Sequence, residues 1–82
     1  MVDVIFYGLI RSNHKLQSLK VNPGTMAEII TEIRSLYPNI QTSEFESAVW
    51  FINDQKITHL NRKNVNVNSG DRVVFTNFVG GG

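Results

Sequence analysis

One segment of this chain dictates how the others must be arranged. Met26, Ile29, Ile30, Ile33, Leu36 and Tyr37 recur at helical spacing and lay one apolar stripe along residues 26–37. Thr25 stands where its side chain can accept from the first free N–H groups, and Glu28, three residues on, completes a capping box. Pro38 cannot continue a helix and disfavours helical geometry at Tyr37, so the helix is expected to stop there. A lone helix of this length is not stable in water and must bury its stripe. The remaining segments supply strands for it to cover.

Residues 2–8 are rich in β-branched and aromatic side chains and read as a strand, with Val2, Val4 and Phe6 on one face. Arg11-Ser12-Asn13-His14 reads as a turn, and Leu16, Leu19 and Val21 suggest a returning strand, making an antiparallel hairpin. After the helix, residues 39–47 are mixed and polar and are expected to form a surface connection. Ala48-Val49-Trp50-Phe51-Ile52 is a short apolar strand closed by the turn Asn53-Asp54-Gln55, with Lys56-Ile57-Thr58 as a brief partner. Asparagines at 61, 64, 66 and 68 suit an irregular loop. Asn68-Ser69-Gly70-Asp71 is a tight turn, and a final strand runs from about Arg72 to Phe78. A hairpin, a crossing helix and a last strand beside the first make an α+β, ubiquitin-like β-grasp fold. It has a mixed sheet of four to five strands with one main helix on one face.

The composition removes whole classes of function. Eighty-two residues make one domain with a single core. A net charge of +1 gives no field for nucleic acid or a membrane surface, and no apolar run is long enough to span a bilayer. The opening Met1-Val2-Asp3-Val4-Ile5-Phe6 lacks the basic region of a signal peptide, so a cytoplasmic location is expected. There is no cysteine, which excludes disulfides, thiolate metal sites and cysteine nucleophiles. His14 and His59 are far apart with no obvious carboxylate partner and read as surface residues; no metal site is expected. The chain does not read as an enzyme.

The end of the sequence points elsewhere. Gly80, Gly81 and Gly82 directly follow the β-prone run Val73–Val79. Three glycines in a row should stay mobile unless a partner orders them. Residues 1–79 are thus expected to form the domain and 80–82 a flexible tail with a terminal carboxylate. Strand alternation leaves one sheet face open. If Trp50 and Ile52 face the helix, Val49 and Phe51 face outwards, as must one of the sets Val73/Phe75 and Val74/Thr76/Phe78. Phe51, Phe75 and Phe78 are the candidate partner-binding residues, with core packing the alternative for each. Lys56, Arg62 and Lys63 form a mild basic group, read chiefly as a solvated loop.

Essentially the whole chain resembles the ubiquitin-like sulfur carriers of the MoaD/ThiS family: the small subunit of molybdopterin synthase and the thiamin-synthesis carrier. The resemblance rests on the strand from Val2 to Tyr7, on Val21-Asn22-Pro23-Gly24-Thr25 entering the helix, and on Phe51-Ile52-Asn53 before a turn. Its strongest stretch runs from Ser69-Gly70-Asp71-Arg72-Val73-Val74-Phe75 to Gly81-Gly82. Molybdopterin-type members usually carry prolines just before the tail, where this chain has Asn77-Phe78, and many place an apolar residue at Thr76. Many members are acidic, whereas this chain is near neutral. Its length and the sizeable connection after the helix lean towards the molybdopterin type.

The resemblance implies that a ubiquitin-activating-type adenylyltransferase uses ATP to adenylate the Gly82 carboxylate. Sulfur from a persulfide then yields a thiocarboxylate, which is delivered inside a second partner, a sulfur-acceptor enzyme or larger synthase subunit. No cofactor would be bound by the chain itself. The alternatives are a thiamin-type carrier, a modifier joined through Gly82 to lysines of target proteins, and an interaction module with an incidental tail.

Overall fold

The computed structural model describes residues 1–77. Its elements in order are β1 (Val2–Phe6), α1 (Leu9–His14), β2 (Ser18–Val21), β3 (Gly24–Thr25), α2 (Met26–Leu36), α3 (Thr42–Glu46), β4 (Val49–Ile52), β5 (Gln55–Ile57), a 3₁₀ turn (Arg62–Asn64), β6 (Asn66–Val67) and β7 (Arg72–Thr76). Five strands form a mixed sheet in the order β2-β1-β7-β4-β5, while β3 and β6 pair as a separate two-stranded ribbon. β1 runs parallel to β7, with Val4 beside Val73 and Phe6 beside Phe75. The other three pairings of the large sheet are antiparallel. This is the expected β-grasp arrangement, and it places β7 at the centre of the sheet.

α2 covers one face. The Thr25 hydroxyl accepts from Glu28 N–H at 3.2 Å, and the Glu28 carboxylate accepts from Thr25 N–H at 2.9 Å, so the capping box is complete. Met26, Ile29, Ile30 and Ile33 are buried against Val2, Val4, Phe6, Val21, Trp50, Val73 and Phe75. Each large side chain so buried contributes roughly 1.5–3 kcal/mol. The far end of the stripe departs from expectation: Leu36 and Tyr37 are exposed, and Ile40, just past Pro38, is buried instead. The chain doubles back there, with Ile40 N–H donating to Tyr37 O and Arg34 Nε donating to Ile40 O.

Three segments expected to be irregular carry structure. The turn expected at Arg11–His14 is the end of α1, which buries Ile10. The polar connection at 39–47 holds α3, whose Phe45 is fully buried, and the Trp50 Nε1–H donates to Phe45 O at 2.7 Å. The asparagine-rich loop holds the 3₁₀ turn and β6, and Met26 N–H donates to Val65 O, fastening the start of α2 to it. The β4–β5 turn follows the sequence closely. Asn53 and Asp54 adopt φ of 49° and 69°, a region these two residue types tolerate better than most.

Candidate functional site

Two features bear on the site expected from the sequence: the sheet face that α2 leaves uncovered and the end of β7. Along β7, side chains alternate. Val73 and Phe75 point under the helix, and Val74 and Thr76 point the other way. Phe75 is therefore not a docking residue. It is 0% exposed, stacks on Phe6 at 5.7 Å, and meets Phe45 and Trp50 edge-on at 5.1 and 5.8 Å. An aromatic ring held by three others from three elements is core packing.

Phe51 lies on the opposite face. In the registers of the sheet it sits beside Val74 on one side and Lys56 on the other, and Val74 in turn sits beside Ile5. Ile5, Val74 and Phe51 thus form a half-buried apolar row across β1, β7 and β4, flanked by Val49 and Thr76 towards the C-terminal end of β7. The opposite flank of the row is charged. The Lys20 ammonium pairs with Asp3 at 2.6 Å and Arg72 with Asp54 at 3.0 Å. The hydrogen bond from Lys20, helped by its charge, holds the Asp3 carboxyl below its usual range. Asn53 Nδ2–H and the Asn68 backbone N–H do the same for Asp71. The face is apolar next to the end of β7 and ionic away from it.

The basic group resolves into parts with different neighbours. The Arg62 guanidinium lies 3.8 Å over the Trp50 ring and donates to Ala48 O and Glu46 O at 3.2 and 2.7 Å. Lys63 pairs with Glu46 at 2.9 Å, which lowers the Glu46 carboxyl. Arg62 thus packs against the side of the core while Lys63 stays exposed, and Lys56 stands beside Phe51 on the open face. His14, expected to lack a carboxylate partner, has one: its Nε2 lies 3.0 Å from both oxygens of Glu44.

Phe78, Gly80, Gly81 and Gly82, and the expected domain boundary after residue 79, lie outside the described residues. The chain reaches them through Asn77, whose side-chain oxygen accepts from Leu9 N–H at 3.0 Å. Sequence reasoning missed this junction, and it also missed Ile5 as a member of the apolar row, although alternation with Val4 and Phe6 points to it. Among the described residues, no cluster of three or more His, Asp or Glu is placed to hold a metal ion, and no helix is long and apolar enough to cross a membrane.

No curated protein sequence matches the chain. Among solved structures, the Amycolatopsis orientalis BexX/CysO complex contains a chain that superposes with a TM-score of 0.75 at 20% identity, covering 100% of both chains. SAMP1 from Haloferax volcanii gives 0.78 at 11% identity, covering 99% of this chain and 98% of that one. The complex of subunits 1 and 2 of molybdopterin-converting factor from Helicobacter pylori gives 0.63 at 20% identity, covering 99% and 97%. At such identities these likenesses establish the fold. The ThiS family model is a sequence match, and it spans residues 4–82. Fold, strand order and that near-complete match converge: the chain belongs to the ThiS family, the sulfur carriers of ThiS/MoaD type.

Proposed function

We propose that the reactive group of this carrier is the Gly82 carboxylate, presented by Gly80 and Gly81. The observation that supports it is continuity in sequence: the glycines follow closely on the central strand β7, and the family match runs through them to residue 82. A carboxylate is ionised at neutral pH and is a poor electrophile. Within a ubiquitin-activating-type adenylyltransferase, its oxygen attacks the α-phosphorus of ATP, pyrophosphate leaves and an acyl-adenylate forms. The terminal sulfur of a persulfide then attacks the acyl carbon and AMP departs. A thiol cleaves the resulting S–S bond, leaving the thiocarboxylate. The transferred sulfur comes from outside, in keeping with a chain that has no cysteine.

The apolar row of Ile5, Val74 and Phe51 is the docking surface in this reading, with Val74 at its centre, Phe51 as its largest side chain and Lys56 at its border. We assign the sulfur to molybdopterin synthesis, inside a complex with a larger synthase subunit. The sizeable segment between α2 and β4 supports that choice, as does likeness to a chain of a two-subunit molybdopterin-converting factor.

Intact mass of the protein isolated from its native host tests the chemistry. A fraction heavier by the exchange of one oxygen for sulfur at Gly82 is expected. Branched peptides joining the glycine end to target lysines, with no thiocarboxylate, would replace the carrier by a protein modifier. Gly81→Ala and Gly82→Ala are expected to leave thermal unfolding unchanged while sharply reducing adenylation, because a closely walled channel has no room for a side chain.

A further inference from the structure

The short helix α1 begins without a cap of its own. Its N-cap residue is Gly8, which has no side chain, and Ser12 N–H closes the first turn on Gly8 O at 3.1 Å. The free N–H of Leu9 donates instead to Asn77 Oδ1 at 3.0 Å, a partner 68 positions away. Gly8 makes the approach possible. It has φ of +86°, and a Cβ there would lie 2.8 Å from both the backbone nitrogen and Oδ1 of Asn77. Any other residue would drive the two segments apart. Tyr7 N–H donates to Phe75 O at 2.8 Å, so bonding between the two segments continues past the β1–β7 ladder as far as Asn77. Asn77 immediately precedes residues 78–82.

We propose that Asn77 is a positioning residue for activation of the carrier: a latch onto α1 that fixes where and in which direction the chain leaves the sheet. The inference rests on the reading of Gly82 as the adenylated end. Threading a segment into a partner's channel costs conformational entropy, and a segment whose root is already fixed has less to lose. The latch therefore acts on productive encounter with the activating enzyme. Once the carboxylate is seated, the enzyme's own groups position it, and the root no longer matters. A cap that served stability alone would shift the unfolding midpoint and leave the kinetics untouched.

Steady-state pyrophosphate release by the host's adenylyltransferase, with the full chain as the varied substrate, separates these cases. Asn77→Ala is expected to raise KM by about 5- to 30-fold, the equivalent of ordering one further backbone residue, with kcat unchanged. Asn77→Asp keeps an acceptor for Leu9 N–H and should restore the wild-type KM. Leu9→Pro removes the donor at a first-turn position where proline is tolerated, but its Cδ would take the place of the N–H that faces Asn77 Oδ1, so it is read on the Asn77→Ala background, where that side chain is gone. With the bond already absent, the double variant should keep the KM of Asn77→Ala. Unchanged KM in Asn77→Ala, or failure of Asn77→Asp to rescue, overturns the latch while leaving the carrier reading intact. Wild-type protein that yields no adenylate overturns both.

Discussion

Phe75 and Phe51 sit on neighbouring antiparallel strands, one register step apart, and they end on opposite sides of the sheet. Trp50 pairs with Phe75 on the helix side, and Phe51 pairs with Val74 on the open side. Phe75 is enclosed by Phe6, Phe45 and Trp50. Phe51 lies beside Val74 and Lys56 in the sheet registers and is only half-buried. Residue type does not distinguish them; the strand period does, because a shift of one position sends a side chain through the sheet. In a domain this small the two faces differ in kind. One supplies the core, and the other carries the docking surface we propose.

The sharpest way to break that division is to truncate each ring. Phe75→Ala removes a ring on which three others pack and should cost about 3–5 kcal/mol in urea unfolding, a large share of the stability of a domain this size. Phe51→Ala should cost about 1 kcal/mol or less, the scale of a cross-strand pair. Its effect should surface in affinity for the activating enzyme, with a loss of about 2 kcal/mol or more, roughly 30-fold, if the ring is a docking anchor. Equal destabilisation by the two variants, or intact partner affinity in Phe51→Ala, would erase the distinction between the faces.

What could be read from the sequence follows the range of the interactions. The cap of α2 is legible because Thr25 and Glu28 are three residues apart and Pro38 marks the stop. The alternation of β1 is legible because Val2, Val4 and Phe6 carry it locally. Which face of β7 is buried is not, since Val73/Phe75 and Val74/Thr76 are both apolar enough, and only aromatic rings from β1, α3 and β4 decide between them. α3 was hidden because Ile40 and Phe45 are isolated apolar residues among polar ones, and both reach the core. α1 was hidden for the opposite reason. Its cap lies at Asn77, beyond the reach of any local pattern. The C-terminal glycines were legible as a motif, yet the junction at Asn77 that precedes them was not.

A milder perturbation acts on the cover of the buried face rather than on its contents. Thr25→Ala removes the acceptor for Glu28 N–H and should cost about 1 kcal/mol, seen as a lower denaturant midpoint with an unchanged slope. Partner affinity through Phe51 should not move, because the cap lies on the other side of the sheet. A Thr25→Ala protein that folds normally but binds its activating enzyme poorly would mean that the two faces are coupled.

The smallest effect concerns the edge of the covered layer, where α1 and α3 meet through His14 and Glu44. Partial burial pushes the Glu44 carboxyl up, but hydrogen bonds from Gln41 N–H and from His14 outweigh it and leave the group below its ordinary value of 4.5. A carboxyl depressed on folding contributes stability that is fully present above that ordinary value. The contribution is lost as pH falls through the depressed one. Glu44→Gln keeps an oxygen to accept from Gln41 N–H and removes the charge. At neutral pH it should cost about 1 kcal/mol or less, since the pair is only partly shielded from water. On acidification below the ordinary carboxylate value, the wild type should lose that margin and converge on the variant, which has no such group to protonate. Denaturant titrations of both proteins across the acid range measure the gap directly. A gap that stays constant as the pH falls would show that Glu44 holds α1 to α3 by shape and neutral hydrogen bonding, and that its charge contributes nothing to the covered face.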